Sequence, residues 1–508
     1  MNQASNPQTA TVTARDPRRW VILGVMALAQ LVVLLDNTVL NVAIPTLNEE
    51  LDVSAAEIQW MINAYALVQS GLLLTAGSMA DRYGRKRALM LGLALFGLAS
   101  FVAAFSISSG QLIAARAAMG VGGALLMTTT LAVIVQVFDD EERPKAIGIW
   151  AAVGAFGFAA GPLIGGGLIS VFWWGSIFLI NVPVAIIGLL AVAKLVPESR
   201  NPDVGKADPV GAVLSIIAMF SIVYAIISGP EYGWTSVSVI GAASLGSLVL
   251  LAFVLWERHI PHPMIDMAFF RNRKFIGAVS GGLLIAFGMG GSLYLLTQHL
   301  QFVFEYSPLE AGLRIAPLAL TVVALNLSGF GARVMAKIGT PLTVLSGMTL
   351  LSVGLFSIGY FGRDGYGGMV GGLVLIGMGI ALAMPAMANA IMSAIPREQA
   401  GVGASIQGAL TEFGYGLGVA ILGAVLMSRF TGALPASIGA EDPESLPEAL
   451  AAADSPTAVG QVADAFASGI HVSQFAGAIA VFAGGVLAAA FLYNARGKTT
   501  ADTAVTSQ

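Results

Sequence analysis

The stretch "GSMADRYGRKR" (residues 77–87) decides how this chain folds. Residues 57–78 before it and 88–107 after it are apolar segments long enough to cross a bilayer, which takes about 20 predominantly apolar residues. The stretch is therefore a turn between two spans. Gly77 and Gly84 permit a tight reversal, and Asp81 is placed to pair with Arg82, Arg85 or a helix N-terminus. A merely charged turn needs neither both glycines nor the acid at these spacings. Such a charged latch holds one conformation and opens in another.

The rest of the chain reads the same way. Of 508 residues, 56% are hydrophobic and 11% charged, against roughly 25% charged in soluble domains. With a mean hydropathy of +0.81, the polar surface is too small to face water all round. The span-length rule gives fourteen segments: 20–44, 57–78, 88–107, 111–137, 146–170, 176–196, 210–229, 236–256, 275–298, 309–333, 341–361, 367–394, 401–427 and 470–494. Charge sidedness tests that count. Of the 25 Lys and Arg, all but Arg363, Arg429, Arg116 and Arg314 fall in loops of one parity, the bias of cytoplasmic loops. Both termini are then cytoplasmic, and the polar N-terminal tail leads into a retained first span. The expected organisation is a tail at 1–19, a six-helix bundle at 20–198, two inserted helices with flanking loops at 199–274, a second six-helix bundle at 275–494 and a tail at 495–508.

Three further stretches carry information. "ARVMAKIG" (332–339) follows the tenth segment as a faded copy of the 77–87 turn, with Ala336 at the Asp position, and points to two related halves. "GAFGFAAGPLIGG" (154–166) steps Gly154, Gly157, Gly161 and Gly165 along one helix face, with Pro162 beside them. Small residues at that spacing mean close helix packing and a bend. The loop 429–469 sets Glu441, Asp442, Glu444, Glu448, Asp454 and Asp464 against Arg429. It is either a solvated acidic loop or a cation-gathering vestibule, and its Ala-rich parts suit short helices.

The 77–87 turn resembles the signature loop of the major facilitator superfamily. The glycine stripe of 154–166 resembles the motif that marks exporters within it. "LLDNTVLNVAIP" (34–45) and "WWGSIFLINVP" (173–183), with fourteen spans, resemble the drug:proton antiporters that have two extra central helices, the group of quaternary-ammonium and methyl-viologen exporters. The resemblance implies an all-α membrane protein of 6+2+6 layout, working by alternating access as a monomer in the bacterial cytoplasmic (inner) membrane. It would be no enzyme and need no cofactor. Protons flowing in would drive out lipophilic, cationic small molecules. Two rivals stay open: the same fold exporting an endogenous metabolite or antibiotic, and a non-transporting membrane sensor.

The candidate residues are those that are expensive to keep in hydrocarbon. Asp36 lies about 16 residues, roughly 24 Å, into the first span, and Glu412 about 11 residues, roughly 16 Å, into the thirteenth. A buried unpaired carboxylate costs several kcal/mol, tolerable where its protonation drives transport. Desolvation favours the neutral form of a carboxylate, so such a site exchanges a proton for a cation. Each also has a structural reading, Asp36 through Asn37, Asn41 or backbone donors. Coming from opposite halves, both are expected to face one central cavity. Arg116, in "ARAAMGVGGA" (114–123), matches the superfamily's fourth-span motif, which implies a part in proton coupling; five residues from the surface, it either snorkels or tunes a carboxylate. Arg314 is as shallow and snorkels. Trp60, Tyr65, Phe156, Tyr294, Phe413 and Tyr415 offer ring faces to a planar or cationic substrate, or simply pack. Glu57 is either an access site or a solvated helix start.

Other chemistry has no residues to carry it. The chain has no cysteine, and His259, His262, His299 and His471 include one loop pair without a third ligand, so no metal centre is expected. "GYGLG" (414–418) lies inside a span with no strand before it, and no phosphate-binding lysine loop exists. The basic residues follow membrane sidedness and form no nucleic-acid stripe.

Overall fold

The computed structural model describes residues 17–139, 142–200, 208–261, 263, 265–362, 365–395, 400–439, 443 and 445–505. Residues 1–16 of the expected tail, Lys206, His262, Arg363, Arg397 and the loop acids Glu441, Asp442 and Glu444 lie outside the described residues. Among the described residues every regular element is a helix.

The first half contains α1 (Arg19–Leu51), α2 (Ala55–Tyr83), α3 (Arg85–Ala104), α4 (Ser109–Val137), α5 (Arg143–Val171), the single turn α6 (Ser176–Leu179) and α7 (Asn181–Leu195). Next comes the hairpin of α8 (Pro209–Tyr232) and α9 (Val237–His259). The second half contains α10 (Arg273–Gln298), which ends in a π turn at His299–Val303, then α11 (Pro308–Leu327), α12 (Phe330–Phe361), α13 (Tyr366–Ala394) and α14 (Ala400–Ala433). The short helices α15 (Ala436–Gly439) and α16 (Leu446–Ala451) lead to α17 (Pro456–Val505).

Local chemistry explains the boundaries. Gly84 ends α2 and starts α3 at φ +119°, and Gly339 kinks α12 at φ +80°, so the 77–87 turn and its faded copy close on the same backbone device. Ser54 with Glu57 and Ser307 with Glu310 form capping boxes at the starts of α2 and α11. Glu57 is thus a helix cap, and it also accepts a hydrogen bond from the Ser109 hydroxyl. Three expected limits move. The first span runs through Pro45 to Leu51, where Asp52 turns left-handed; proline inside a membrane helix is tolerated because neighbours satisfy the freed carbonyl. The tenth stops at Leu327, where Gly329 adopts φ +65°. The acidic loop shrinks, because α14 reaches Ala433, α17 starts at Pro456, and the Ala-rich part between carries α15 and α16.

Twelve helices are long and apolar enough to cross a membrane among the described residues. This is a multi-pass membrane protein. The expected count of fourteen meets twelve because α2 carries Gln59, Asn63, Gln69 and Ser70 along its length, and only 160–171 of α5 ranks as a shorter apolar helix.

Packing follows a simple plan. α1 packs on α5, α2 and α7 flank α4 and α3, and in the second half α10 packs on α14 and α17 while α12 packs on α13 and α17. The two largest crossings between the halves are α5 against α11 and α14 against α2, with α1 also touching α10 and α11. The α8–α9 hairpin stands outside, with α8 touching both α2 and α14. The most apolar window of α9 is only 17% buried, as a helix facing lipid should be. Hereafter the near end is the one bearing the 77–87 turn, and the far end is its opposite.

Candidate functional site

Asp36 and Arg116 meet in the first half. The guanidinium of Arg116 on α4 donates to the Asp36 carboxylate on α1, and its Nε donates to the Met61 carbonyl at 3.0 Å. Its plane lies over the Tyr65 ring, 4.5 Å from the centroid. The Asn181 amide on α7 reaches Asp36 Oδ1 at 3.4 Å and Ser100 Oγ at 3.3 Å. Asp36 and Arg116 are 0% and 1% exposed, so Arg116 does not snorkel. A side chain that reached the surface would leave Asp36 as a lone buried charge, whereas the pair compensates both.

Glu412 lies elsewhere, on the seam between the halves. Asn37 Nδ2 on α1 donates to both carboxylate oxygens of Glu412 on α14, at 3.2 and 3.3 Å. The Tyr415 hydroxyl donates to the Asn37 carbonyl at 3.0 Å and accepts from Asn41 Nδ2 at 2.9 Å. Glu412 is 3% exposed. Asp36 and Glu412 thus meet different neighbours, Asp36 through Arg116 and Asn181 and Glu412 through Asn37. Successive helix residues point about 100° apart, so Asp36 turns into its own half and its neighbour Asn37 turns across the seam.

The aromatic candidates scatter. Trp60 stacks on Phe220 of α8 at 4.8 Å with Tyr224 at 6.2 Å, and Phe413 packs into the same cluster with Leu67, Val223 and Ala420. Tyr65 serves Arg116 and Tyr415 serves Asn37. Tyr294 is buried inside the second half, and Phe156 is 53% exposed. Arg314 lies partly exposed over Tyr306, 3.6 Å from its centroid, as expected of a shallow arginine. His299 and His471 are buried with their rings 5.3 Å apart, a pairing across 172 residues of chain that sequence spacing did not reveal. No cluster of three His, Cys, Asp or Glu side chains suited to a metal forms among the described residues.

Sequence reasoning passed over the buried amides of α2. Gln59 and Asn63 face glycines of α14: a Cβ on Gly423 would sit 2.7 Å from the Gln59 amide oxygen, and one on Gly416 2.5 Å from that of Asn63. Neither oxygen has a hydrogen-bond partner. Their signal was available, since polar residues four apart in a membrane helix share one face.

The turn and the glycine stripe complete the geometry. Asp81 accepts from Arg85 Nε at 2.7 Å, while Arg87 approaches Glu198 at 3.6 Å and the Lys86 amide donates to Glu198 at 3.1 Å. Arg82 lies over the Tyr83 ring. The latch thus ties the turn to the chain after α7, within one half. Gly77 faces Ser405 of α14, 3.7 Å from its would-be Cβ. Gly154, Gly157, Gly161 and Gly165 all face α1; a Cβ on Gly157 would meet the Leu31 carbonyl at 2.8 Å. The Pro162 backbone lies against Gly312 of α11, and Gly166 lies against Pro308.

A fold of two helical halves joined mainly by two crossings has sequence relatives. The Major Facilitator Superfamily profile matches residues 26–421. The chain belongs to the major facilitator superfamily. It is 38% identical over 431 residues to "Methyl viologen resistance protein SmvA" of Salmonella typhimurium, covering 84% of this chain and 86% of that one. It is 34% identical to "Multidrug efflux pump LfrA" of Mycolicibacterium smegmatis, covering 94% and 96%. Among solved structures, a bacterial homolog of the human lysosomal transporter Spinster, inward-facing and unoccupied, matches with a TM-score of 0.62 at 20% identity, covering 94% and 97%. That likeness concerns the fold alone.

Proposed function

We propose that this major facilitator protein is a proton-driven efflux antiporter for lipophilic, cationic compounds, working as a monomer in the bacterial cytoplasmic membrane. The near end, with the basic turns and both termini, is cytoplasmic. Fourteen helices span the bilayer in a 6+2+6 layout, α2 and α5 among them. Exchanging the halves maps the α5–α11 crossing onto α14–α2, and the shared capping boxes and glycine turns support that symmetry.

The observation that carries the reading is the hydrogen bond from Asn37 to Glu412 across the seam, one residue from the Asp36–Arg116 pair. A hydrogen bond to a charged acceptor is worth about 1.5–3 kcal/mol and a neutral one about 0.5–1.5. Protonating Glu412 therefore weakens the tie between the halves and frees them to rock, and a cation arriving beside Glu412 competes with that proton. Asp36, which shares helix α1 with Asn37, and its partner Arg116 on α4 hold the other titratable site. The names of the relatives support drug export over a sensor. The family and its transporter relatives support a protein that is no enzyme.

Purified protein in liposomes loaded with a pH-sensitive dye tests this. Under an imposed proton gradient, wild type should move ethidium against protons, and Glu412→Gln or Asp36→Asn should uncouple the two. Wild-type flux of neither ion with a broad cation panel would overturn the reading.

A further inference from the structure

The hairpin that separates this chain from a plain twelve-helix layout also builds a groove. Between α8 and α14, in the far-end third of the bundle, lies a hollow of about 470 Å3 lined by Ile226 and Trp234 on one wall and by Ile421, Ala424, Val425, Ser428 and Arg429 on the other. Ile226 of its wall also packs on the cluster where α8 meets α2 and α14. The body is aliphatic, the only charge is Arg429, and Arg429 and Trp234 are both exposed at its far-end rim. No described carboxylate forms an ion pair with Arg429.

We propose that this groove is a binding site for one anionic phospholipid of the far-end leaflet. An acyl chain lies along Ile226, Ile421, Ala424 and Val425, and the phosphate sits on the Arg429 guanidinium. Three features select that occupant. An aliphatic wall formed in part by the largely lipid-exposed hairpin suits a chain rather than a soluble ligand. A guanidinium at the headgroup level forms paired hydrogen bonds to phosphate oxygens. A tryptophan at that depth is the usual interfacial anchor. A positive rim also disfavours the cations assigned above to the central seam, so the groove is distinct from the transport site. It exists because α8 leans on α14, which gives the inserted hairpin a lipid-holding role.

Native mass spectrometry of the purified full chain tests the site, with phosphatidylglycerol and a diacylglycerol of the same chains as probes. Wild type should hold the phospholipid roughly fivefold more tightly, the ~1 kcal/mol of one basic residue near a membrane surface. Arg429→Ala should erase that preference and Arg429→Lys should keep most of it. Val425→Trp, which fills the hollow and leaves the charge, should weaken both probes. An unchanged preference in Arg429→Ala, or unchanged binding in Val425→Trp with a wild-type size-exclusion profile, overturns the proposal. Release of the lipid by ethidium also overturns it, assigning the groove to the transported cation instead.

Discussion

At the scale of single residues, Asp36 and Asn37 divide two tasks between adjacent positions. Asp36 points into its own half and is held by Arg116 and Asn181; Asn37 reaches the opposite half. Removing one partner of a buried pair leaves the other uncompensated, at about 3–5 kcal/mol. Arg116→Ala should therefore lower thermal stability by that order, read by melting in detergent. The double variant Asp36→Asn/Arg116→Gln, which retains hydrogen bonds without charge, should recover most of that stability while remaining uncoupled in the liposome assay. The charged residues were legible in the sequence because an acid or a base in an apolar run is conspicuous. Their partners were not, because pairing depends on the rotation of α1 and on which helices stand beside it. That is why Arg116 had both a snorkelling and an inward reading before its contacts were known.

At the scale of helices, glycines set how near two axes come. The α5 stripe lets α5 lie against α1, the helix that carries Asp36, and Gly290, Gly414 and Gly418 do the same for α10 and α14. Overpacking such a contact costs about 1–3 kcal/mol. Gly157→Leu should therefore reduce folded yield and transport, whereas Gly167→Leu on the same helix, with nothing within 4 Å of its would-be Cβ, should leave both near wild type. Gly84→Ala should be worse than its size suggests. Its φ of +119° is unfavourable to any Cβ, and the added carbon would sit 2.6 Å from Glu198 Oε1. The stripe and the turn were visible as spacings. The capping boxes of α2 and α11 carry a local signal as well, Ser-x-x-Glu at both helix starts.

At the scale of the molecule, rocking halves must separate at one end while closing at the other. The far-end contact of α5 with α11 is a place to bias that motion. A Cβ on Gly166 would collide with the Pro308 carbonyl oxygen and sit 2.8 Å from the Leu309 Cα. Gly166→Val should therefore prop this end apart and lower export in vesicles, whereas Gly167→Val, with nothing within 4 Å of its would-be Cβ, should leave export near wild type. Full export by Gly166→Val would mean that this contact does not limit the motion. The α8–α9 hairpin answers a different need. It covers the α2–α14 crossing on the lipid side, where Trp60 stacks on Phe220.

The sequence by itself determined the membrane setting, the all-helical class and the three charged residues worth following. Each of these rests on composition, period and local turn chemistry, which the chain carries in its own order. The tertiary structure alone decided that Arg116 pairs with Asp36, that Glu412 is held by Asn37, that Trp60 and Phe413 pack on the inserted helix, and that His299 meets His471. Those contacts join residues from 80 to 375 positions apart. Their geometry depends on helix rotation and crossing, fixed by the fit of many small side chains at once, and no local pattern records it.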